Sequence, residues 1–118
     1  MSTGISGLFQ NTKGAKTSSS HRPFYSDYVR HCLRFYTRNL RLSQFKSDVD
    51  KNNWYACKVS LVSYSESDRD ILIAVYSGYD TLADNVYETA KKHGINQSII
   101  WDLMKDVERL IAQARGLL

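Results

Sequence analysis

The segment 91–98 constrains the fold more strongly than any other part of this sequence, with the order Lys-Lys-His-Gly-Ile-Asn-Gln-Ser. Gly94 suits the end of a helix, because glycine adopts the left-handed backbone conformation at little cost. Apolar Ile95 follows, and Asn96 belongs to the residue types that commonly cap the start of a new helix. Ala90, four residues before the glycine, is small where a second helix packs closely. This spacing predicts the tight turn of a helix-turn-helix.

Capping signals predict where the other helices begin. Pro23 suits the first turn of a helix, because its missing N–H costs nothing there. Ser47, Ser65 and Thr81 are each followed three residues later by an aspartate, as in a capping box. Apolar residues then recur at steps of three and four, although 59–64 also has strand character. The sequence therefore predicts an all-α domain of five helices joined by short connections, packed as an antiparallel or orthogonal bundle.

The same periodicity predicts which side chains form the core. We expect the first helix over 24–41 and the end of the third helix at Gly78, a residue type suited to helix C-termini. The inward positions of the first helix are predicted to be Val29, Cys32, Leu33, Tyr36 and Leu40. Those of the last helix are predicted to be Ile100, Leu103, Val107, Leu110, Ile111 and Ala114.

Length and composition predict one domain preceded by a tail. The 118 residues match the size of a single ordinary domain. Residues 1–22 are rich in Gly, Ser and Thr, contain basic but no acidic residues, and are predicted to be a disordered tail. Residues 23–118 are predicted to form one helical domain. Within it, 23–64 would be a basic pair of helices and 65–118 would contain the helix-turn-helix.

Several classes of protein are disfavoured by the sequence. It has no run of 18 apolar residues, so we expect no membrane span, and no secretory signal at its start, so we expect a cytoplasmic location. Cys32 and Cys57 are then expected to be reduced, buried thiols. The three histidines are scattered, so we expect neither a metal nor another cofactor. Without a glycine-rich phosphate loop or a catalytic set at known spacing, the chain is not expected to be an enzyme.

Charge divides the chain into two unequal halves. Residues 1–64 contain ten Lys or Arg and three acids, whereas residues 65–118 contain six and nine. Four arginines recur on the first helix at steps of four, four and three, and we call them the arginine stripe: Arg30, Arg34, Arg38 and Arg41. A basic half of this kind suits a polyanionic partner. The alternative is an ordinary solvated face, partly paired with acids of the C-terminal half.

The segment 65–72, Ser-Glu-Ser-Asp-Arg-Asp-Ile-Leu, precedes the helix-turn-helix. This combination resembles the fourth region of bacterial sigma factors and of sigma-like phage transcription regulators, over roughly the last 54 residues. From about Phe24 onward the chain also resembles short uncharacterised proteins of Gram-positive mobile elements. The first resemblance implies a DNA-binding transcription regulator whose last helix enters the major groove of double-stranded DNA.

Carried over by position, the resemblance identifies Leu82–His93 as the helix before the turn and Gln97 as the start of the recognition helix. The side chains implied to face the groove are Gln97, Ser98, Trp101, Asp102 and Lys105. Those implied to lie near phosphates are Thr81, Lys91 and Lys92. The arginine stripe, Arg30, Arg34, Arg38 and Arg41, is a second candidate for contact with the DNA backbone.

A protein-binding role on the same scaffold is the alternative, because fold does not fix function. The outer side of the last helix carries Asp102 and Asp106, with Glu108 close by, and acids near phosphates mostly repel. Trp101, Met104 and Tyr87 would form an apolar patch for RNA polymerase or another host protein, unless Trp101 is buried in the core. Homodimerisation through the last helix is a further alternative.

Overall fold

The structure, a computed structural model, describes residues 22–118. It contains five α-helices and, within this part of the chain, no β-strand. The prediction of an all-α fold is therefore confirmed. The predicted tail lies outside the described residues except for Arg22. The helices are α1 (Ser26–Arg38), α2 (Asp48–Val62), α3 (Glu66–Ser77), α4 (Leu82–His93) and α5 (Gln97–Ala114).

Side-chain caps fix the starts of four of these helices. Ser47, Ser65 and Thr81 accept the backbone N–H of the aspartate three residues later, at 3.1, 3.2 and 3.1 Å. Asn96 accepts the N–H of Ser98 at 2.8 Å. Each cap satisfies a donor that the helix itself cannot pair and contributes about 1 kcal/mol to stability. The segment 59–64, which also had strand character, lies in α2 as far as Val62.

All five helices contribute to one core, in which α1 packs against α2, α3 and α5, and α4 packs against α3 and α5. On α1 the predicted inward residues Val29, Cys32 and Leu33 are buried, and Tyr36 packs against the core from its edge. Leu40 was wrongly predicted to be inward. The helix ends at Arg38, so Leu40 lies in the following connection and is exposed.

The inward face of α5 is centred about one residue away from the predicted face. Ile100, Val107 and Ile111 are buried as expected. Met104 is also buried, whereas Ala114 is exposed, which corrects the prediction at that position. Met104 shares a face of α5 with Glu108, which Arg30 of α1 and Tyr76 of α3 contact, whereas Ala114 lies in the last turn of the helix. Among the described cysteines, Cys32 and Cys57 are free and buried, and burial raises the pKa of Cys32 to about 11.

Gly78 ends α3 for a different reason from the one predicted. Its backbone is extended, with φ −65° and ψ 152°, so the left-handed conformation plays no part. A Cβ at this position would lie 2.7 Å from the side-chain amide of Asn85. That amide is held in place, because its nitrogen donates to the carbonyls of Val75 at 2.9 Å and Asp80 at 3.3 Å. Gly78 is therefore required by the close approach of α4 rather than by its own dihedral angles.

Gly78→Ala is expected to lower the free energy of unfolding by about 1–3 kcal/mol, because the new methyl group displaces the hydrogen-bonded Asn85 amide. Urea denaturation would measure the change. In an Asn85→Ala background the same substitution should cost much less, because the obstructing amide is absent. A stabilised Gly78→Ala variant would contradict this account, since alanine at a compatible site reduces the entropy of the unfolded chain.

Candidate nucleic-acid interface

The turn between α4 and α5 has the geometry of a tight helix-helix corner. Gly94 takes the left-handed conformation, with φ 66° and ψ 35°. The N–H of Gly94 donates to Lys91 O at 3.3 Å, and the N–H of Ile95 donates to Ala90 O at 3.0 Å. These bonds satisfy carbonyls at the end of α4, as in a Schellman motif. Ile95 is half-buried and packs against the core, which anchors the corner between the two helices.

The first turns of α5 present one face to solvent. Ser98, Ile99, Asp102 and Lys105 are exposed, whereas Ile100 is fully buried. Helices α1 and α2 do not cover this face, which is open to solvent within residues 22–118.

Gln97 and Trp101 were also expected to face the groove, but they are half-buried rather than exposed. The indole of Trp101 packs against the core. Met104 was wrongly placed in an exposed patch with Trp101 and Tyr87, because it is 1% exposed and belongs to the core. An apolar contact patch built on Met104 therefore does not exist.

The residues expected near phosphates lie at the two ends of α4. Thr81 is exposed at its start, where its hydroxyl oxygen accepts the N–H of Asp84. Lys91 and Lys92 are exposed in its last turn, directly before the corner. Lys91 forms an ion pair with Glu88 at 3.6 Å and lies 5.3 Å from the centre of the Tyr87 ring. Both partners of this ion pair are well exposed, so the lysine remains accessible to an anion at little cost.

The arginine stripe is largely engaged inside the molecule. Arg34 donates to the carbonyls of Gly78 at 2.8 Å and Asp80 at 3.2 Å. Arg38 donates to Gly78 O at 2.7 Å and Ser77 O at 3.3 Å. These carbonyls lie at or just after the C-terminus of α3, where unpaired acceptors and the helix dipole favour positive charge. The two guanidinium groups therefore fasten α1 to the end of α3.

Arg30 and Arg41, at the two ends of the stripe, differ in their surroundings. Arg30 donates from Nε to the Glu108 carboxylate at 2.9 Å. Arg41 is exposed in the connection that follows α1. The guanidinium of Arg38 additionally lies 4.3 Å from the centre of the exposed Tyr79 ring. Three of the four arginines thus have partners within the protein, and Arg41 lies beyond the helix on which the stripe was predicted.

Glu108 was expected near the outer, acidic side of α5, and this expectation is wrong. Its side chain is buried, and its carboxylate accepts hydrogen bonds from Arg30 and from the hydroxyl of Tyr76. Position 108 shares a helix face with Met104 and Ile111, which is the signal that could have revealed its burial. Burial raises the pKa of Glu108 above its ordinary value, while the Arg30 cation opposes that rise.

The exposed side of α5 is less negative than its sequence suggests. Asp106 accepts hydrogen bonds from the hydroxyl of Tyr64 and from Arg109 Nη2, the latter at 2.9 Å. The bond from Tyr64 is the main reason why the pKa of Asp106 lies below its usual range. With Asp106 paired to Arg109, the remaining charges on this face are Asp102 and Lys105. The face is therefore close to neutral, with the two lysines of α4 adjoining the corner.

Among residues 22–118, no helix combines the length and the apolar character that crossing a membrane requires. No group of three or more His, Cys, Asp or Glu side chains there is arranged to hold a metal ion. Comparisons of the chain with known protein families, curated proteins and solved structures likewise found no significant match.

Proposed function

We propose that this protein is a DNA-binding transcription regulator of the phage or mobile-element type, which contacts double-stranded DNA with the α4–α5 corner. The observation that carries the proposal is the uncovered face of α5 directly after a left-handed Gly94 turn. This arrangement leaves the start of a recognition helix free to enter a major groove.

The residues at the corner suit a division between base and backbone contacts. Ser98, and Gln97 once its side chain extends from its half-buried position, provide the hydrogen-bonding groups for base edges. Lys91, Lys92 and Lys105 provide positive charge for phosphates. The start of α4, capped by Thr81, adds backbone N–H groups of the kind that bind phosphate oxygens.

The proposed contact excludes most of the arginine stripe. Arg34 and Arg38 cannot bind phosphates without releasing carbonyls at the end of α3, and Arg30 cannot do so without leaving Glu108 unpaired. The α4–α5 corner offers three exposed lysines and no such penalty. Because few phosphates are neutralised, the affinity should be modest and its dependence on salt shallow.

The test is binding of a fluorescent mixed-sequence duplex, followed by anisotropy across a salt series. Three neutralised phosphates predict a slope of log affinity against log salt of about −2.7, or roughly a 40-fold loss between about 50 and 200 mM salt. The variant Lys91→Gln/Lys92→Gln should bind more weakly and reduce the slope to about −0.9. Neither lysine is buried, so folding should be unaffected.

The matched control is Lys51→Gln/Lys58→Gln, which removes the same charge from exposed positions of α2. It should leave the salt slope unchanged. Two results would overturn the proposal: no binding to any duplex at low salt, or an equal loss of affinity in both double variants. The second result would show that net charge, rather than the corner, attracts DNA.

A further inference from the structure

Helix α2 carries apolar residues on the side that faces away from the core. Val49, Tyr55, Val59 and Val62 are 54, 46, 68 and 66% exposed, respectively. A surface helix normally carries charged or polar residues on its solvent face. In residues 22–118 the other helices pack only against the side of α2 that carries Trp54, Cys57 and Leu61, so these four apolar side chains lie on its solvent face.

Three of these four apolar residues, together with the polar Asn52, follow the spacing of a helix-helix contact. Asn52, Tyr55, Val59 and Val62 are separated by three, four and three residues, and we call these four positions the α2 seam. This alternation of three and four places side chains in one line for packing against another helix. Local stability does not explain the valines, because β-branched residues are poorer helix formers than the alternatives available at exposed positions.

Positive charge borders one side of the seam. Lys51 and Lys58 each directly precede a seam residue and lie seven residues apart, so they share one edge of the helix. Both are exposed, and Lys58 Nζ lies 5.3 Å from the Trp54 ring and 6.0 Å from the Tyr55 ring. The acids of α2 are Asp48 and Asp50, both in its first turn, where the helix dipole already favours a carboxylate.

We propose that the α2 seam binds an acidic amphipathic helix of a protein partner. Such a helix would lay its apolar stripe on Tyr55, Val59 and Val62, in the helix-in-groove manner. Its acidic residues would lie opposite Lys51 and Lys58, and charge of opposite sign at such flanking positions selects both partner and orientation.

The charges disfavour the two occupants that this chain itself could supply. In an antiparallel pair of α2 helices that aligns the two seams, Lys58 of one copy would face Lys58 of the other. In a parallel pair, the lysines would face Ala56 and Ser63. Residues 1–21 contain two lysines and no acid, so they would not neutralise the edge. An acidic helix of another protein would cover the apolar residues of the seam and place carboxylates opposite the lysines.

The probe is a synthetic helical peptide of about three heptads, with Leu at the a and d positions and Glu at e and g. A matched peptide with Lys in place of Glu has the same apolar stripe. Titration of the labelled peptides with the full chain, followed by anisotropy, should give saturable binding of the acidic peptide. Its affinity should be at least about tenfold higher than that of the basic peptide, and the difference should shrink with added salt.

Two substitutions locate the binding. Val59→Asp places a charge in the middle of the seam and should reduce affinity for the acidic peptide by at least about tenfold. Ile99→Asp is the matched control, because Ile99 is 50% exposed on α5 and lies outside the seam. Circular dichroism should show both variants folded, since both side chains are largely in solvent.

Three results would overturn the proposal. They are equal affinity for the two peptides, equal loss of affinity in Val59→Asp and Ile99→Asp, and a dimer in sedimentation velocity that Val59→Asp dissociates. The last result would assign the seam to a second copy of this chain. Val59→Asp should retain duplex binding, so failure of the seam and failure of the DNA proposal give separate readouts.

Discussion

Replacing Arg30 with methionine is expected to lower the free energy of unfolding at about pH 7.5 by about 3–5 kcal/mol. The substitution removes the cation that lies 2.9 Å from the Glu108 carboxylate and leaves that carboxylate buried with a neutral partner, Tyr76. The Glu108 side chain is 4% exposed, so water cannot replace the guanidinium without rearrangement of the core. Urea denaturation of the two proteins would measure the difference.

This destabilisation should depend on pH in a defined direction. Burial holds the pKa of Glu108 above its ordinary value of 4.5, so the folded chain binds this proton more tightly than the unfolded chain. The contribution of Glu108 to stability therefore falls as pH rises from about 4.5 through the native pKa. Without the Arg30 cation the native pKa rises further, so the fall becomes larger and extends to higher pH. The gap between Arg30→Met and the unmodified protein should thus be smallest at about pH 4 and widest at about pH 7.5.

The double variant Arg30→Met/Glu108→Gln tests the mechanism. Glutamine keeps an oxygen that can accept the Tyr76 hydroxyl but carries no charge, so most of the lost stability should return. Its stability difference from the unmodified protein should also no longer grow above about pH 4.5. If Arg30→Met were equally destabilising at both ends of this range, lost packing of the arginine stem rather than a stranded charge would be the cause.

Helix starts and the corner were predictable because their signals are local. Thr81 and Asp84 are three residues apart, and Gly94, Ile95 and Asn96 are consecutive, so sequence order alone places the interacting groups together. Each of these signals depends on hydrogen bonds within one turn of the chain. They required no knowledge of which helix packs against which.

Pairing of the arginine stripe with acids of the C-terminal half was one of the alternatives, but its particular partners could not be predicted in this way. Arg30 and Glu108 are 78 residues apart, and Arg38 and Gly78 are 40 apart. A charged residue at an uncertain helical phase is ordinarily assigned to the surface, since buried charges are rare. Only the packing of α1 across α3 and α5 shows that these side chains meet. The need for glycine at position 78 was unpredictable for the same reason. It comes from the close approach of the Asn85 amide rather than from the backbone conformation of Gly78.

Ile100→Ala is expected to lower the free energy of unfolding by about 2–5 kcal/mol, because it opens a cavity in a fully packed core. Ile100 is 0% exposed, whereas its neighbour Ile99 is 50% exposed on the other side of α5. Ile99→Ala should change stability by no more than about 0.5 kcal/mol, since it removes a surface contact and introduces a better helix former. The two variants make the same chemical change one residue apart, and urea denaturation would compare them directly.

This comparison also tests the surface on which the DNA proposal depends. The rotation of α5 that buries Ile100 is the rotation that exposes Ser98, Asp102 and Lys105. Equal losses in the two variants would mean that Ile99 is covered, and the uncovered face would then not exist. A large loss of stability for Ile100→Ala and a small one for Ile99→Ala would agree with an exposed face on α5. Duplex binding by the folded Ile99→Ala protein would then be governed by the exposed lysines and polar side chains beside it.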